Sequence, residues 1–161
     1  HYAITAMVEL SKEYDYRLQK IEKKYTNDPD DPVVLEEYCD FLKEYLSQGF
    51  MEKQMEQIYR NQYTQLLLKQ LEQKVNLHTC VCLMENLMVQ RDFFLAEKIL
   101  KIMDQNWHRG EEYWIWKIRY LAERKMGKEL KQSLQALKEE HIYLSSRGKE
   151  ALGFWLDGSK K

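Results

Sequence analysis

Apolar residues recur three and four positions apart in one segment after another, and small or acidic residues interrupt the pattern at short intervals. That period belongs to the α-helix, and no segment shows the sustained apolar–polar alternation of a strand. The clearest unit is Leu77 to Met103. There Leu83, Leu87, Ala96, Leu100 and Met103 fall on one face of two successive helices, and Arg91-Asp92 stands between them as a tight turn. A helix pair of this length cannot bury its apolar face alone, so it must stack on neighbours. The chain has only six Gly and two Pro, which leaves little of the usual material for turns and long loops. The expectation is an all-α fold of about seven or eight helices stacked as antiparallel hairpins.

The first helix is predicted from Tyr2 to Tyr25, with Ile4, Met7, Tyr14, Leu18, Ile21 and Tyr25 as a stripe that packs on the next helix. In Asn27-Asp28-Pro29-Asp30-Asp31-Pro32 the prolines break that helix. Asp31 is placed to cap a second helix, over Pro32 to Gln48, with Pro32 in its first turn. Gly49 serves as a left-handed terminator. A third helix is predicted from Met51 to Val75, a fourth and fifth make the hairpin already described, and Asp92 is the cap candidate before Phe93. The sixth, Glu111 to Met126, opens on two carboxylates and closes on Arg124 and Lys125, which suits the helix dipole at both ends. Gly127 is expected to turn the chain into a seventh helix carrying Leu130, Leu134 and Leu137. A short eighth covers Arg147 to Leu156.

Length and charge restrict function more than they reveal it. A chain of 161 residues is expected to be one domain, residues 1–161. With 25 Lys and Arg against 26 Asp and Glu, and both signs interspersed, it lacks the basic footprint of a nucleic-acid binder. Cys39, Cys80 and Cys82 are an odd number, and the last two lie two apart on a helix, so they are expected to be buried free thiols. The histidines His1, His78, His108 and His141 are scattered singly, none in a zinc-binding helical pair. No glycine-rich phosphate loop or nucleophile motif is present. No metal, cofactor or catalytic residue is therefore expected. The acidic turn at Asp28–Asp31 lacks the spacing of a calcium loop and reads as a solvated cap. The neighbouring carboxylates Glu111-Glu112 and Glu139-Glu140 are expected to point apart into solvent.

The turns at Asp92 and Gly127 lie about one tetratricopeptide period apart, and the hairpin at Leu77 to Met103 has that repeat's packing positions, so the fold is expected to be a degenerate tetratricopeptide-like superhelix. Several stretches go further. They are His1 to Leu10, Asp28 to Pro32 followed by Tyr38 to Gly49, Arg91-Asp92-Phe93 leading into Ala96-Glu97, and Tyr120 to Glu123. Together and in order they resemble the tetratricopeptide-repeat region of PelE, the accessory family of the Pel exopolysaccharide machinery. Larger residues at packing positions such as Met84 and Met103 mark this chain as a distant member.

The resemblance implies a non-enzymatic scaffold in a biofilm-polysaccharide complex. Its repeats would bind the cytosolic glycosyltransferase and bring it to the membrane export components, on the cytoplasmic face of a bacterial membrane. It also implies an anchor upstream of the His1 with which this sequence begins, since no apolar run here is long enough to span a bilayer. The offsets that line the concave side of stacked repeats select His78, Glu85, Trp116, Arg119 and Glu123 as partner-binding residues, with Val81, Met88 and Met126 on the same faces. Trp114 and Trp116 cannot share one face of their helix, so Trp116 is either a seal between helices or an anchor for a partner. Two other readings remain open: an unrelated repeat adaptor or assembly chaperone holding a peptide in its groove, and a small helical enzyme whose site no linear motif reveals.

Overall fold

The computed structural model describes residues 2–158; His1, part of the first stretch of resemblance, lies outside them. The fold is all-α. Its eight helices among the described residues are α1 (Tyr2–Asn27), α2 (Pro32–Ser47), α3 (Lys53–Gln73), α4 (Leu77–Gln90), α5 (Phe93–Trp107), α6 (Glu111–Glu123), α7 (Gly127–Glu139) and α8 (Ser146–Gly158). They group into two compact units, His1–Thr79 and Cys80–Lys161, with the boundary in the first turn of α4.

In the first unit α2 is the central helix, packed on both α1 and α3. Both expected terminators of α2 are in place. Asp31 accepts a hydrogen bond from the Val33 amide at 2.9 Å, and Gly49 takes φ +73°, a conformation that favours glycine. Contacts between α1 and α2 run antiparallel: Tyr14 Oη donates to Glu44 at 2.9 Å, Tyr45 Oη donates to Asp15 at 2.6 Å, and Lys24 pairs with Glu37 at 3.2 Å. The stripe on α1 is covered only in part. Tyr14, Leu18 and Ile21 are buried, whereas Ile4 and Met7 are exposed. The reason is length, since α1 has 26 residues and α2 only 16. At the far end Lys69 of α3 reaches the acidic turn, donating to Pro29 O at 2.6 Å and pairing with Asp30 at 3.2 Å.

Helix α3 is shorter than the expected Met51 to Val75. It begins at Lys53 and ends at Gln73, and Val75 sits exposed beyond its end. All three cysteines are buried and none is joined in a disulfide among the described residues, and burial pushes the Cys80 thiol up to about 11.

The second unit is built around α6, which packs on α5, α7 and α8. Neighbours on three sides explain a helix that is apolar almost all round: Tyr113, Trp114, Ile115, Trp116, Ile118, Tyr120 and Leu121 are all buried. Ala96 on α5 is fully buried, as the hairpin pattern requires, and Asp92 caps α5 by accepting from the Leu95 amide at 3.2 Å.

Three helices of this unit end the same way. Arg91, Lys125 and His141 each adopt φ between +53° and +57°. In each case the residue's own amide and the next one bond back to carbonyls of the last turn: Arg91 N to Met88 O and Asp92 N to Leu87 O, Lys125 N to Ala122 O and Met126 N to Leu121 O, His141 N to Lys138 O and Ile142 N to Leu137 O. These are Schellman terminators built on residues other than glycine. They correct two expectations. Helix α6 stops at Glu123, short of Met126, because Lys125 turns left-handed, and the reversal before α7 belongs to Lys125 and not to Gly127, which opens α7.

Candidate functional site: the groove lined by α4, α6 and α8

A groove of about 630 Å³ lies along the second unit. Helix α4 contributes Glu85, Met88 and Val89, helix α6 contributes Trp116, Arg119, Ala122 and Glu123, Lys125 follows from the terminator, and α8 contributes Trp155. On α4 and α6 these positions recur three or four apart, so each helix presents one longitudinal face to the groove.

Packing explains which side chains form the floor and which the rim. Trp114 is buried on the opposite side of α6, where its indole Nε1 donates to His108 O at 2.7 Å. Trp116 is nearly as deeply placed, at 7% exposure, yet it lines the groove, and its indole N–H is buried without a hydrogen-bond partner among the described residues. The Arg119 guanidinium lies over the Trp116 ring at 5.1 Å from its centroid. Arg119 makes no ion pair among the described residues, and neither does Lys125, whereas Glu123 is held by Arg91 at 3.1 Å. Glu85, Val89, Glu123 and Lys125 are exposed and form the rim.

Of the residues selected from sequence, the structure brings Glu85, Trp116, Arg119 and Glu123 into this one groove, together with Met88. His78 is not among its lining residues: it is exposed on the first turn of α4, in the other unit. Val81 and Met126 also fall outside the lining. Trp155, Val89, Ala122 and Lys125 were missed. Trp155 comes from a helix that repeat spacing does not reach, and Lys125 from a left-handed turn that sequence assigned elsewhere.

A second polar cluster lies at the end of α5. His108 places Nδ1 at 2.5 Å from Asp104 and Nε2 at 2.6 Å from Glu140, and Arg109 donates to Glu140 O at 2.9 Å. Hydrogen bonds to Glu140 and then Asp104 raise the His108 pKa above its usual value, because only the doubly protonated ring donates to both carboxylates. Burial, with the same carboxylates nearby, pushes the adjacent Tyr113 up to about 12.

At the start of α6, Glu111 accepts from both the amide and the hydroxyl of Ser145, each at 2.7 Å, and Arg147 pairs with Glu112. The expectation that Glu111, Glu112 and Glu140 simply meet solvent is therefore corrected. Their partners lie more than thirty residues away along the chain, out of reach of local spacing. These clusters tie helices together, whereas the groove is open to a ligand. The chain matches no protein-family model, no curated protein and no solved structure.

Proposed function

We propose that this chain is a non-enzymatic, tetratricopeptide-like docking module of a Pel-type exopolysaccharide complex, and that its groove receives the glycosyltransferase of that complex. The carrying observation is the convergence of Glu85, Met88, Trp116, Arg119 and Glu123, on two helices more than twenty residues apart, into one groove. Buried Trp beside Arg is the composition of interface anchors. The 34 residues separating the terminators at Arg91 and Lys125 equal the period of the tetratricopeptide repeat. Among the described residues no helix is long and apolar enough to cross a membrane, so on this reading the anchor and the contacts with membrane components lie in another part of the full protein, at the cytoplasmic face of the bacterial membrane.

The test is calorimetric titration of the Pel-type glycosyltransferase into the chain and into an Arg119→Ala, Glu85→Ala variant. Trp116→Ala is unsuitable, because deleting so buried a ring costs about 3–5 kcal/mol of stability on its own. The double variant is expected to bind about tenfold more weakly, or about 1.4 kcal/mol, with helicity and melting unchanged. Wild-type affinity in the variant, or no complex with the unaltered chain, refutes the proposal.

A further inference from the structure

Resting on that docking reading, we infer the chemistry of what the groove takes: an amphipathic helix of a protein partner that lays an apolar side chain beside Trp116 and Trp155 and delivers an isolated carboxylate to Arg119. Three observations carry this. First, the walls repeat as helices do, with Glu85 and Met88 on α4 and Trp116 and Arg119 on α6 each three apart. Such contact points suit a ligand whose own side chains recur at three- and four-residue spacing.

Second, the charges in the groove are unevenly committed. Glu123 is matched by Arg91, whereas Arg119 and Lys125 have no anionic partner among the described residues. A guanidinium held over an indole is desolvated on one face and keeps its in-plane donors for a carboxylate. Third, Trp116 and Trp155 both line the groove, and paired indole surfaces are what an apolar side chain of a partner packs against. Glu85 on the α4 wall keeps the groove from being uniformly cationic. The fit is therefore to a single carboxylate beside an apolar stripe, not to a run of acidic residues.

The experiment uses the full chain and two fluorescein-labelled helical peptides of about four turns. Both carry leucines at three- and four-residue spacing, and they differ only in one glutamate or glutamine flanking that stripe. Anisotropy titration should show the glutamate peptide binding about three- to tenfold tighter than its glutamine counterpart, the range for a partly exposed charge-assisted contact. The preference should shrink with added salt. It should vanish in Arg119→Gln and survive in part in Arg119→Lys, with circular dichroism confirming that both variants stay folded.

Equal binding of the two peptides, an unaltered preference in Arg119→Gln, or no binding by either peptide overturns the inference. Displacement of the glutamate peptide by phosphatidylglycerol vesicles also overturns it, since that would assign the cations to a lipid headgroup. A peptide failure together with loss of glycosyltransferase binding in the Arg119 variant would leave the docking reading standing and remove only this ligand chemistry.

Discussion

Gly148, in the first turn of α8, occupies a position where an added methyl group would collide with the Glu111 carboxylate. That carboxylate is pinned. It accepts 2.7 Å hydrogen bonds from both the amide and the hydroxyl of Ser145, and the Ser145 hydroxyl in turn accepts from the Gly148 amide at 3.2 Å. Gly148→Ala must therefore expel Glu111 and break two charge-assisted bonds that fix the start of α8 against α6. Bonds to a charged group are worth about 1.5–3 kcal/mol each. With the Glu111 side chain 20% exposed, the lower end applies, for a loss of about 3 kcal/mol. Alanine returns about 0.5–1 kcal/mol of helix propensity, so the net destabilisation is about 2 kcal/mol. Urea unfolding of wild type, Gly148→Ala, Glu111→Ala and the double variant measures it as a cycle. Once Glu111 is truncated the obstacle is gone, and Gly148→Ala should become neutral or stabilising. If Gly148→Ala costs as much without the Glu111 side chain as with it, the collision is not the cause and the reasoning fails.

Two further outcomes follow from the second unit. Ala96 is fully buried on α5, so Ala96→Leu should overpack the helix contact and cost about 1–3 kcal/mol in thermal melts; an unchanged melting temperature would contradict the packing. For His108, hydrogen bonds to Glu140 and Asp104 raise the folded pKa above the unfolded value of about 6.5. Their stabilisation is complete below that pH and disappears as pH rises through the higher folded value. The melting temperature should thus fall across neutral and mildly alkaline pH, weakly because the cluster is partly exposed and more weakly still in salt. A His108→Gln variant that shows the same fall would assign it to another group.

Elements whose signals are local were legible in the sequence: the helical period of every segment, the Asp31 and Asp92 caps and the left-handed Gly49. The helix ends at Lys125 and His141 were not, because φ there is positive on residues that carry a Cβ. Only the closing backbone bonds and the packing that follows them offset that strain. The same division runs through the groove. Spacing on α4 and α6 selected Glu85, Trp116, Arg119 and Glu123, since one helical face is a matter of periodicity alone, but no period reaches Trp155 or separates His78 from that face.

By itself, then, the sequence determined that the chain is helical, where most of its helices begin, and which residues share a face, since each follows from dihedral preferences and contacts within a few residues. Tertiary structure alone decided that α6 is enclosed on three sides, that Glu111 and Glu140 tie helices together, that Trp116 is buried, and that Arg119 above it has no anionic partner among the described residues. Those depend on which surfaces of different helices meet, a choice made by burial and shape complementarity over the whole unit and encoded in no local pattern.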